Sequence, residues 1–234
     1  MLNLVRNFHR IPIEARNTRI KICCISSIPE AQLAMDYGAN ALGLVGPMPS
    51  GPGPIGIPLI KEIASSIPPG VATFLLTSET SANGIIDVYK KTNVQVLQLV
   101  DEVDNMEVYT IIRDKLPHVK IVQVIHVTGP ESLGEALIIA PHVDALLLDS
   151  GNPKLAVKEL GGTGRVHDWS VSKAIVEECG KPVFLAGGLN PGNVREAISK
   201  VNPFGVDICS GLRKDGKLDE ELLKKFVNAV RDNM

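Results

Sequence analysis

A cadence constrains this chain more than any other feature. Eight short apolar runs alternate with eight amphipathic stretches between residues 19 and 231. The runs cover 19–25, 41–45, 71–76, 94–100, 120–127, 143–148, 182–186 and 205–209. They are brief, rich in Val, Ile and Leu, and bounded by Gly, Pro or polar residues, which is how strands covered on both faces read. The stretches between them cover 29–37, 59–66, 81–90, 105–115, 131–139, 169–179, 191–200 and 220–231. Pro29 opens the first helix and Gly38 closes it, as expected from the positional asymmetry of proline and glycine. Eight strand–helix units spaced about 25 residues apart predict a single-domain (β/α)8 TIM barrel over 19–234. A doubly wound open sheet is the competitor, but no G-x-G-x-x-G follows the first strand, as a dinucleotide fold of that kind would require. Residues 1–18 have mixed charge and weak periodicity, and are expected to form an N-terminal arm.

The chain has 234 residues, enough for one large core. A net charge of −2 gives no field for a polyanion, so no nucleic-acid partner is expected. No apolar run approaches a membrane span, and Arg6, Arg10, Glu14 and Arg16 interrupt any signal-peptide core. The expected location is the cytoplasm, as a monomer or homodimer. The four cysteines suit neither a zinc site nor a secreted disulfide frame, so reduced thiols are expected. The five histidines show no metal spacing, and His126, at a strand end, reads as a satisfied loop histidine. Neither metal nor cofactor is expected.

A barrel does its chemistry where strands end. The sixth run closes on Asp149, and a Gly161-Gly162-Thr163-Gly164 loop follows, able to bring bare N–H groups close to a ligand. The seventh ends in Gly187-Gly188 and the eighth in Ser210-Gly211, with Asp207 inside it. In this fold those two loops often bind phosphate, because N–H groups and helix dipoles there face an anion. Asn190 and Pro191 read as the N-cap and first turn of the seventh helix. A small-molecule sugar phosphate is the expected partner.

Taken in order, Lys21-Ile-Cys-Cys, Gly38-Ala-Asn-Ala-Leu-Gly43, Leu148-Asp149, Gly161-Gly-Thr-Gly164, Asp168-Trp169, Ala186-Gly-Gly-Leu189 and Asp207 to Gly211 resemble the phosphoribosylanthranilate isomerase family. The resemblance runs from about Arg19 to the C-terminus. It implies a cofactor-free Amadori rearrangement of an aminoaldose phosphate to an aminoketose phosphate, in tryptophan biosynthesis. It also implies Cys23 as general base and Asp149 as general acid. Gly162, Thr163, Gly187, Gly188, Ser210 and Gly211 would hold substrate and phosphate, and Asp207 the amine or ribose. Asp207 also reads as a core carboxylate paired with Lys21. A cysteine base needs a positive environment to ionise, and a carboxyl acid needs burial to stay protonated.

The chain departs from the family pattern where the aromatic acid would be read. Cys24 stands in place of a glycine. The loop after the second strand lacks the family's Ser-Pro-Arg, and no Lys or Arg occurs between Lys21 and Lys61. The family's strand-4 histidine is Val100. After the eighth strand an acidic residue is usual, and here Arg213 stands there. Losing an arginine partner costs a carboxylate about 1.5–3 kcal/mol. Arg213, or Arg165 beside the glycine loop, is a candidate to take over the carboxylate. The alternatives are a different phosphoribosylamine as substrate, or a sugar-phosphate-binding barrel without catalysis.

Overall fold

In the computed structural model, residues 18–151 and 166–232 are described. Eight parallel strands close into a barrel in sequence order. They are β1 (Arg19–Ile22), β2 (Ala41–Val45), β3 (Ala72–Thr77), β4 (Val96–Leu99), β5 (Lys120–His126), β6 (Ala145–Asp149), β7 (Val183–Leu185) and β8 (Gly205–Ile208). Their helices are α1 (Ile28–Asp36), α2 (Ile57–Ser66), α3 (Ala82–Tyr89), α4 (Glu107–Lys115), α5 (Glu131–Ile139), α6 (Trp169–Glu178), α7 (Val194–Val201) and α8 (Glu220–Arg231). The expected barrel is therefore the observed one. The expected arm, apart from Thr18, and the 161–164 glycine loop lie outside the described residues, and Arg165 does too.

Two apolar layers explain why the strands carry little polarity. Outward residues such as Leu42, Leu75, Leu97, Ile121 and Leu146 pack under the helices. Inward residues such as Phe74, Val96, Val122, Ala145, Leu147 and Phe184 fill the barrel. Closure pairs β1 with β8, setting Lys21 against Asp207 and Ile22 against Ile208. Phe184 lies edge-on to Phe74 at 5.9 Å, and the space it needs is left by Gly205, where a Cβ would meet the Phe184 ring at 2.8 Å. This aromatic layer is the floor beneath the barrel's C-terminal mouth.

Some departures from expectation have clear local reasons. β1 stops at Ile22 because Cys24 takes a left-handed φ of 61° that no strand accommodates. α7 begins at Val194, because Asn190 and Asn193 close a turn first: Gly192 N donates to Asn190 Oδ1, and Asn190 N donates to Asn193 Oδ1, both at 2.8 Å. α4 begins at Glu107, whose N–H donates to Asn105 Oδ1 at 2.9 Å. A small hairpin, β9 (Arg213–Lys214) with β10 (Lys217–Leu218), follows the eighth strand. Its turn is Asp215-Gly216, both at positive φ, and an Asp-Gly pair between strand-like residues is a hairpin signal. Lys214 and Lys217 pair across this hairpin.

The cysteines require a correction. Cys24 and Cys209 form a disulfide, with Cα atoms 5.9 Å apart, while Cys23 and Cys179 are free. The two bonded residues are 185 positions apart in sequence, and only barrel closure brings the ends of β1 and β8 together.

Candidate active site

A pocket open to solvent occupies the mouth of the barrel, at the C-terminal ends of the strands. Cys23 enters it from the end of β1 and Asp149 from the end of β6. Cys23 is placed by its own N–H, which donates to Ile208 O at 2.8 Å. The expected acid and base thus line one cavity, with Asp207 from β8 between them in the electrostatics of the site.

Lys21, Cys23 and Asp207 form a cluster. Lys21 is fully buried and its Nζ lies 2.8 Å from Asp207 Oδ1. Both readings of Asp207 therefore hold structurally: it pairs with Lys21 and it lines the pocket. Burial alone would lower the Lys21 ammonium, but the Asp207 charge and then Cys23 outweigh it, so Lys21 is raised and stays charged. Burial pushes the Cys23 thiol up to about 11. Lys21 pulls it down, and Asp207 and Asp149 push it back up. The positive environment expected of a thiolate is present, but its charge is largely neutralised by Asp207, and the resting group is a thiol. Gly43 on β2 makes room for this cluster. A Cβ there would lie 2.8 Å from Cys23 Sγ and 3.1 Å from Lys21 Nζ. The sequence reading placed Gly43 in a motif without giving it a role.

Asp149 has the environment an acid needs. Burial raises it well above the usual carboxylate range. The Ser150 N–H, donating to Oδ1 at 2.7 Å, and the neighbouring His126 pull against that, and Asp207 adds to it.

The end of the pocket expected to hold phosphate has glycine turns. Gly187 and Gly188, both at positive φ, and Ser210 line the pocket. A Cβ on Gly187 would lie 2.9 Å from Ser150 N, so the turn fits only as glycine. Gly211 lies behind the pocket wall, where a Cβ would collide with the Leu189 carbonyl; it lets the two turns approach each other. Gly162 and Thr163 lie outside the described residues.

Arg213 does not line the pocket. Its guanidinium donates to the carbonyls of Cys24 and Cys23, to Gly216 O at 3.0 Å, and to both Glu30 carboxylate oxygens at 3.2 and 3.3 Å. Glu30 in turn accepts from Ser26 N and Leu218 N. Those bonds are why the side chain does not reach a ligand carboxylate. Among the described residues, the β2–β5 side of the pocket is lined by Val45, Met48, Leu76, Gln98, Val100 and Val124, none of them a cation. His126 lies beside Asp149 and was read in the sequence only as a loop histidine. Among the described residues no cluster of three or more His, Cys, Asp and Glu is placed to hold a metal ion, and no helix is long and apolar enough to cross a membrane.

This geometry defines a class: (β/α)8 barrels with glycine turns after strands 7 and 8 facing a thiol and a carboxyl across the mouth. Residues 59–229 match the family model of N-(5'-phosphoribosyl)anthranilate (PRA) isomerase. N-(5'-phosphoribosyl)anthranilate isomerase 2 of Methanosarcina mazei is 37% identical over 217 residues, covering 92% of this chain and 95% of that protein. Its namesake in Methanosarcina acetivorans is 32% identical over 227 residues, covering 92% and 93%. The crystal structure of the Thermotoga maritima phosphoribosyl anthranilate isomerase superposes with a TM-score of 0.78 at 28% identity, covering 92% of this chain and 99% of that one. Another isomerase structure, in complex with reduced 1-(o-carboxyphenylamino)-1-deoxyribulose 5-phosphate, superposes with a TM-score of 0.76 at 26% identity over the same shares. The chain belongs to the phosphoribosylanthranilate isomerase family.

Proposed function

We propose that this protein isomerises N-(5'-phosphoribosyl)anthranilate to the corresponding 1-deoxyribulose 5-phosphate in tryptophan biosynthesis. The observation that carries the reading is that Cys23 and Asp149 share one cavity with the Gly187-Gly188 and Ser210 turns. With the phosphate held at β7 and β8, the ribose lies across the mouth between β1 and β6. Asp149 gives its proton to the furanose ring oxygen. The C1–O bond breaks, and the nitrogen lone pair forms the C1=N bond of a protonated Schiff base. Cys23, as thiolate, takes the proton from C2, and those electrons form the C1=C2 enolamine, which tautomerises to the ketone. The cation created in the first step lies beside Cys23 and favours its ionisation, which explains how a thiol pushed up to about 11 serves as a base. The family's biosynthetic role supports a cytoplasmic site of action; the Cys24–Cys209 disulfide is the feature that does not suit a reducing compartment. Loss of anthranilate fluorescence with freshly generated substrate measures turnover directly. Cys23→Ala and Asp149→Asn are each expected to lower kcat by at least about a hundredfold while inorganic phosphate still binds. Near-wild-type turnover in both variants would refute the assignment.

A second reading rests on the β2–β5 side of the pocket, whose named lining residues are Gln98 and apolar side chains. It keeps the same chemistry but carries an uncharged amine on the ribose phosphate. Comparing kcat/KM for the anthranilate substrate with that for the aniline analogue separates the two. A preference for anthranilate of about tenfold or more would reject the second reading.

A further inference from the structure

His126 is the last residue of β5 and the register partner of Asp149 at the end of β6. Residues 122 and 124 of the same strand point into the barrel, so by the two-residue period His126 points inward as well. Parallel neighbours in register lie about 4.8 Å apart, so imidazole and carboxyl stand side by side. His126 is 6% exposed. Its Nε2 lies 2.9 Å from Val100 O. A carbonyl only accepts, so Nε2 carries the hydrogen there, and in the neutral ring Nδ1 then presents a lone pair. Nδ1 is buried and has no hydrogen-bond partner. A buried polar atom without a partner is costly, and this one stands next to a candidate catalytic group.

Asp149 supplies the missing donor. Its Oδ1 accepts the Ser150 N–H, which leaves Oδ2 to carry the proton of the acid form.

We propose that His126 is a positioning residue for Asp149, its bare Nδ1 accepting the carboxyl O–H and holding the acid oriented until the sugar ring oxygen takes over that hydrogen bond. The inference rests on the reading of Asp149 as the general acid. No bond to His126 is made or broken in the reaction.

Two near-isosteric variants separate this role from a structural one. His126→Gln keeps a donor for Val100 O and loses the acceptor. His126→Asn keeps an acceptor at the Nδ1 position and loses the donor. The acceptor role predicts that kcat falls about tenfold or more in His126→Gln with KM changed less than about threefold, and that His126→Asn stays within about threefold of wild type. Equal activity of wild type and His126→Gln, or a larger loss in His126→Asn than in His126→Gln, would overturn it. An infrared difference spectrum supplies a readout without turnover. The C=O stretch of protonated Asp149, isolated by subtracting the Asp149→Asn spectrum, is expected to shift in His126→Gln and return in His126→Asn. An unshifted band would also overturn the proposal. A wild type that leaves the anthranilate substrate unchanged would refute the functional assignment, and the infrared result would still decide the role of His126.

Discussion

At pH 7 a thiol with a pKa near 11 is ionised in about one molecule in ten thousand, so Cys23 in the free protein should react slowly with alkylating agents. The sign follows from its surroundings. Burial and the carboxylates Asp207 and Asp149 disfavour the thiolate, and Lys21 offsets only part of that. Carbamidomethylation of Cys23, followed by mass spectrometry, is expected to rise about tenfold per pH unit from neutrality and to bend near pH 11. A plateau at or below about pH 9 would show that Lys21 wins over burial. Gly43 allows a second test in the same cluster. Gly43→Ala adds a Cβ 3.1 Å from the Cys23 backbone, which a strand in a closed barrel does not easily move. Overpacking of this kind costs about 1–3 kcal/mol, and kcat is expected to drop at least about tenfold because the displaced atom is Cys23 Sγ. Unchanged kcat would show that the site can relax around the methyl group. Asp149 was legible from the sequence because it follows an apolar run, whereas Cys23 lies inside its run and is singled out only by the family resemblance. The Lys21–Asp207 pair was legible only as one of two readings, since it depends on the first strand meeting the last.

Arg213 ties three elements together: the carbonyls at the end of β1, the first turn of α1 through Glu30, and the β9–β10 hairpin through Gly216. Both side chains of the pair are about nine-tenths buried. Removing one member of a buried, hydrogen-bonded ion pair strands the other, at a cost of about 3 kcal/mol. Arg213→Ala should therefore lower the unfolding free energy measured in urea by that amount while KM for the anthranilate substrate stays within about threefold of wild type. A rise in KM with unchanged stability would instead assign Arg213 to the substrate carboxylate. The elements themselves were largely legible. β2, α5 and α8 fall where periodicity put them, because a strand covered on both faces and an amphipathic helix each leave a strong pattern. What periodicity missed lies at the ends. The start of α7 is set by two asparagine side chains, and the hairpin by an Asp-Gly turn that was in plain view between two lysines.

Over the whole molecule, the Cys24–Cys209 bond is a covalent tie on the seam that closes the barrel. No spacing rule reveals it, because its partners are 185 residues apart and only closure makes them neighbours. A disulfide of this kind usually contributes about 2–4 kcal/mol, largely by restricting the unfolded chain. For a domain this size, reduction should lower Tm by roughly 5–15 °C. Two substitutions that both delete the bond should not be equivalent. Cys209→Ser leaves Cys24 in the left-handed region without its partner, whereas Cys24→Gly removes the bond and relieves a φ of 61° that costs an L-residue about 1–2 kcal/mol. Glycine's larger unfolded-state entropy returns part of that gain, leaving Cys24→Gly more stable than Cys209→Ser by up to about 1 kcal/mol. Urea unfolding of both variants, with and without a dithiol reductant, measures the difference. The reductant should lower the stability of the wild type and leave both variants unchanged. If Cys209→Ser proves at least as stable as Cys24→Gly, the backbone at 24 relaxes once the bond is gone, and the left-handed conformation is imposed by the disulfide instead of by the turn into α1.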